Sequence, residues 1–169
     1  MLTSLLSDAF ARPLEVFTRL IDNHSVEELN WKPEGADNSI AWLAWHTARE
    51  IDVQIAHLES RNDLWERDGW VSKFGLDLPA DSMGYGHTPG EAQAVKIDDK
   101  QLLLDYLRAT VEDATRYVAT VDDEAMEEII DKNWDPPVMR ATRIVSIIDD
   151  AAQHAGQADY LGGMITRLR

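Results

Sequence analysis

The sequence predicts an all-α fold: a four-helix bundle with one long crossover connection between its second and third helices. Three observations carry that expectation. Four long segments repeat apolar residues at three- and four-residue spacing. No strand pattern of useful length stands beside them. A stretch of roughly forty residues rich in glycine, proline and aromatics, Ser60 to Ile97, separates the second segment from the third.

The first segment runs from about Leu2 to Asp22 through Leu5, Leu6, Phe10, Leu14, Phe17 and Leu20, with Pro13 inside it as a point of kinking or register change. Ser25-Val-Glu-Glu28 then has the form of a capping box. The second segment is the clearest: Asn38 or Ser39 supplies an N-cap, and Ile40 to about Leu58 follows without Gly or Pro. In the connection, Trp65, Trp70, Phe74 and Tyr85 provide apolar area that would pack on the bundle. The third segment starts near Asp98-Asp99 and reaches about Val121. The fourth follows Pro136-Pro137 and extends from Arg140 to Leu168, weakened locally by Gly156, Gly162 and Gly163.

The 169 residues suit one domain spanning 1–169. Cysteine is absent, which excludes disulfides, Cys-ligated metals and catalysis by a cysteine of the chain, and fits a cytoplasmic location. A net charge of −15 with no basic patch argues against nucleic acid and anionic lipid as partners. No apolar run is long enough to span a membrane, and Asp8 with no basic n-region argues against a secretion signal.

The chemistry concentrates on histidines. His46 stands mid-helix in the second segment, beside the apolar stripe of Trp42 and Val53. His154 stands one helical turn beyond Asp150 on the same face of the fourth. Two imidazoles and a carboxylate from two helices form the ligand set of a catalytic zinc site with an open position, or of a nickel or non-haem iron centre. The plainer reading is a hydrogen-bonded Asp/His pair. Asp149 points about 100° away around the helix and is a poorer ligand.

Further candidates carry two readings each. Trp42 and Trp45 either wall a pocket or fill the core. Arg49 meets Asp150, an anionic substrate, or acids on its own helix. His87 is a substrate contact at the bundle mouth or holds its loop, and Gln157 binds a ligand or steadies His154. His24 reads as a cap or a solvated residue, His57 as a helix-end surface residue and Tyr160 as packing. The acidic run 122–128 reads as a solvated helical turn, because it lacks the alternating ligands and central Gly of a calcium loop.

Several blocks resemble a known family. Trp31-Lys-Pro33 and Asn38-Ser-Ile-Ala-Trp-Leu-Ala-Trp-His46 are similar to the His-bearing helix of the DinB-like superfamily and the residues before it. Leu64-Trp-Glu-Arg-Asp-Gly-Trp-Val-Ser-Lys-Phe-Gly-Leu76, Gly84-Tyr-Gly-His-Thr-Pro89 and Gln153-His-Ala-Gly-Gln-Ala-Asp-Tyr160 resemble its actinobacterial mycothiol-transferase-like branch, related to mycothiol-dependent maleylpyruvate isomerase. The resemblance implies a commonly dimeric four-helix bundle holding a divalent metal, zinc or nickel before iron. By position the ligands are His46, Asp150 and His154. Where the isomerase relatives carry Glu, this chain carries Asp150, one methylene and roughly 1.3 Å shorter. The resemblance further implies mycothiol as a thiol co-substrate and transfer or isomerisation of a small molecule. Metal-dependent hydrolysis, or ligand binding without chemistry, stays open on the same scaffold.

Overall fold

A computed structural model describes residues 1–34 and 38–169. Helix α1 spans Leu2–Asn23 and runs through Pro13, turning Phe10, Phe17, Leu20 and Ile21 inward. His24 follows in extended conformation. Far from being solvated, it is buried, and its Nδ1–H donates to the Leu20 carbonyl at 2.8 Å. Ser25 opens α2 (Val26–Asn30) with a complete capping box: Glu28 N donates to Ser25 Oγ, and Ser25 N donates to Glu28 Oε2.

Helix α3, Ile40–Leu58, begins where Ser39 Oγ accepts the Trp42 amide at 3.1 Å. It is buried nearly all round, as befits a helix enclosed by others. The long connection folds into three short helices, α4 (Leu64–Arg67), α5 (Trp70–Phe74) and α6 (Pro89–Ala94). Asp63 caps α4 and Thr88 caps α6 through a second capping box. Trp65 reaches in to pack edge-on against Trp45 and tilted on Tyr106.

Helix α7 spans Lys100–Val118, capped by Asp99, and stops short of Val121. The acidic run that follows supplies α8 (Asp123–Met126). A short antiparallel pair, β1 (Ile129–Asp131) and β2 (Val138–Met139), leads directly into α9, Arg140–Leu168. This pair corrects the all-α expectation: the fold is mostly helical. With three residues facing two, neither strand is long enough to show alternation in sequence.

The four long helices pack together as a bundle, with α3 against α7 and α9, and α1 against the same two. Phe10, Phe17, Leu43, Trp45, Leu103 and Leu107 are among the side chains buried between them. Asp113 of α7, itself buried, pairs with Arg61 beyond the end of α3 and with Arg116. Arg140 ties the start of α9 to Tyr117 Oη at 2.5 Å, to the Leu58 carbonyl, and to Glu128. Tyr160, expected to pack, is exposed. Among the described residues no helix is long and apolar enough to cross a membrane.

Candidate metal centre

The packing of α3 against α9 brings His46, Asp150 and His154 together. One ligand atom from each lies within 4.8 Å of the other two. Exposure rises across the group, from 5% for His46 to side-chain values of 15% for His154 and 40% for Asp150. The cluster is therefore closed on the α3 side and open on the Asp150 side.

Each imidazole is held by its Nδ1. His46 Nδ1–H donates to the Met83 carbonyl at 2.5 Å, and His154 Nδ1–H donates to Gln157 Oε1 at 3.0 Å. In both rings Nε2 then carries the lone pair a metal would use. His154 Nε2 faces Asp150 Oδ1 at 3.5 Å, where a protonated imidazole pairs with the carboxylate and where a metal cation would take the proton's place. A tetrahedral ion about 2.1 Å from its ligands holds them about 3.4 Å apart, so this pair is already spaced for one. Asp150 Oδ2 is buried without a hydrogen-bond partner. The donor set and the orphaned oxygen fit a divalent ion, and the shorter Asp side chain comes within range of both rings.

Electrostatics separate the three. Burial pushes the His46 imidazole below its usual range, so it stays neutral. Burial also opposes charge on His154, but bonds to Asp150 and Gln157 outweigh it and raise the pKa. The bond to His154 lowers the Asp150 carboxyl against the opposing effect of burial.

Trp42 stacks on the His46 ring at 4.5 Å and meets His154 edge-on at 6.1 Å, walling both imidazoles. Its indole Nε1–H donates to His87 Nδ1 at 3.2 Å, and the other nitrogen of His87 bonds Ser82 Oγ at 2.8 Å. His87 thus fastens its loop to Trp42, and burial keeps its pKa low. Gln157 touches His154. Trp45 is fully buried and stacks on His87 at 5.9 Å. Arg49 has other partners than Asp150: Asp63, Tyr106 and the Ser82 carbonyl. His57 lies exposed at the end of α3.

Two features of the site escape the sequence reading. The first is the loop Ser82–His87, which passes over His46. At Gly84 (φ +101°) a Cβ would overlap His46 Nδ1 and lie 3.1 Å from Trp42 Cζ2, so only glycine lets the main chain approach so closely. The second is Glu50, half-buried one turn beyond His46, its Oε2 accepting from Gln54 Nε2 at 2.8 Å. Burial, then the negative charge of Asp150, raises its pKa. The His46/Glu50 spacing was a usable signal, equivalent to that of Asp150/His154.

Comparison with known proteins agrees with this architecture. Residues 9–158 match the family model of the DinB superfamily. A crystal structure of a conserved protein from Enterococcus faecalis superposes with a TM-score of 0.90 at 44% sequence identity, covering 95% of this chain and 94% of that one. No curated protein matches the sequence. A family match over most of the chain, joined to the helical bundle just described, places this protein in the DinB superfamily.

Proposed function

We propose that the protein is a cytoplasmic, divalent-metal-dependent enzyme that activates a small-molecule thiol, mycothiol or one of similar chemistry, for transfer or isomerisation. The observation that supports this reading is the convergence of His46, Asp150 and His154, with both Nδ1 atoms committed to fixed acceptors and Asp150 Oδ2 left without a partner. Two nitrogens and an oxygen suit zinc, nickel or ferrous iron and leave a position for another ligand. Such an ion supplies Lewis acidity, which makes a thiol or a water acidic enough to act as a nucleophile near neutral pH. Because the chain has no cysteine, the sulfur must come from the co-substrate.

The chain's own residues have separable tasks. His46 and His154 would hold the ion through Nε2, and Asp150 would balance its charge. Trp42 excludes water from the inner side of both rings. Glu50, one turn beyond His46 and under the influence of the Asp150 charge, is the carboxylate that would take the proton of the entering nucleophile. Glu50 also favours a second reading, metal-dependent hydrolysis, in which the same carboxylate serves a water.

Elemental analysis of the purified protein, incubated with zinc or nickel, should find about one divalent ion per chain. His46→Ala should abolish uptake while leaving the helical circular-dichroism signal intact. No metal in the wild-type chain would overturn the proposal and favour a binding protein without this chemistry. Thermal stabilisation by mycothiol, absent with simple esters or amides, would favour thiol chemistry over hydrolysis.

A further inference from the structure

Building on the reading of His46 as a metal ligand, we propose that Arg49 is a positioning residue that fixes the main chain of Ser82–Gly84 and, through it, the orientation and tautomer of His46. Arg49 is 1% exposed, although it carries a full charge. Its Nε–H donates to the Ser82 carbonyl at 3.1 Å. The next carbonyl along, that of Met83, accepts the Nδ1–H of His46. Arg49 and His46 are three residues apart on α3, so the loop crosses the helix with adjacent carbonyls gripped by two side chains.

The far side of the guanidinium is anchored just as firmly. Its Nη1 donates to Asp63 Oδ2 at 3.0 Å and Tyr106 Oη at 3.3 Å, and lies 3.6 Å from Asp52 Oδ2. Asp52 is itself fixed by the amides of Leu64 and Trp65 and by the Tyr106 hydroxyl. The Trp65 ring stacks under the guanidinium at 5.0 Å. A planar fork with five donors reaches carboxylate, phenol and carbonyl at once; an ammonium does not. A second fastening comes from His87 on Ser82 Oγ.

The consequence is chemical as well as steric. With Met83 O fixed, the His46 proton resides on Nδ1 and the lone pair on Nε2 points at Asp150 and His154. If the loop loosened, the ring would exchange tautomers and present that lone pair only part of the time.

The test begins with metal-free protein. Correlation of the imidazole nitrogens and carbon-bound protons by NMR should show His46 as the Nδ1–H tautomer in the wild type. Arg49→Lys keeps the charge opposite Asp52 and Asp63 but loses the bond to Ser82. It should remain folded, show His46 exchanging between tautomers, and bind zinc about 10–100-fold more weakly. Asp113→Asn breaks a buried pair that does not touch the loop, and should lower the melting temperature while leaving tautomer and affinity unchanged. The proposal is overturned if Arg49→Lys retains the wild-type tautomer and zinc affinity, or if Asp113→Asn loses both equally. Should Arg49→Lys fail to fold, Asp63→Asn decides: a partial shift in the tautomer readout supports the role, and none refutes it. A wild-type chain that binds no zinc defeats the metal reading alone, since the tautomer comparison still judges Arg49.

Discussion

At the scale of single residues, the site depends on a contact that only a missing side chain permits. Gly84 lies against His46 Nδ1 and the Trp42 ring. Gly84→Ala must displace either the loop or the imidazole, in addition to about 1–2 kcal/mol of left-handed backbone strain. Gly86 shares the positive φ but has nothing within 4 Å of its added Cβ, so Gly86→Ala carries the strain without the overlap. Zinc titration of the two variants should show weakened affinity for Gly84→Ala and a wild-type value for Gly86→Ala. Equal affinities would mean that the close approach has no bearing on the ligand. Arg49 shows why such relations are hidden from sequence. Acids on its own helix, Asp52 among them, are evident as charge partners, but its pairing with Asp63 and its bond to a carbonyl thirty-three residues away depend on how an irregular connection is laid down.

At the scale of elements, the helices were legible because their signals are local. Ser39, Ser25 with Glu28, and Asp99 all act as caps within three residues of themselves. Asp150 and His154 could be nominated because they fall at helical spacing, and His46 because it stands beside the apolar stripe of its own helix. The β1–β2 pair and the three short helices of the connection were not legible, since their pairing and packing are set by distant contacts. Removing the α3 cap by Ser39→Ala should cost about 1 kcal/mol, measured by chemical denaturation. The capping box of α2 is also the mooring of the C-terminus, because Arg169 donates to both Glu28 oxygens at 2.7 Å. The Arg169 bond, then the Ser25 amide, lowers the Glu28 pKa to about 2. A depressed folded value means that this contribution is present above the ordinary carboxylate range and disappears as pH falls through about 2. Arg169→Ala should therefore lower the melting temperature near neutral pH. The difference between the two proteins should shrink as Glu28 becomes protonated, leaving only what the Arg169 bond to the Asn23 carbonyl contributes.

At the scale of the whole molecule, the proposed ion would join residues 46 and 150, which belong to helices on opposite sides of the long connection. Ligand binding to the folded state alone stabilises it by about 2.7 kcal/mol at one hundred times the dissociation constant. For a chain of this size that corresponds to about 5–10 °C in melting temperature. Calorimetry with zinc should show that rise in the wild type and none in His154→Ala; an equal rise in both would place the zinc elsewhere.

Arg49 and His46 take hold of the loop through the carbonyls of Ser82 and Met83, groups that every amino acid possesses. The side chains of Met83 and the exposed Tyr85 play no part in that grip. Relatives could therefore exchange them, and with them the face shown to an incoming molecule, while the imidazole beneath keeps its bearing. The loop separates what must stay constant from what is free to diversify.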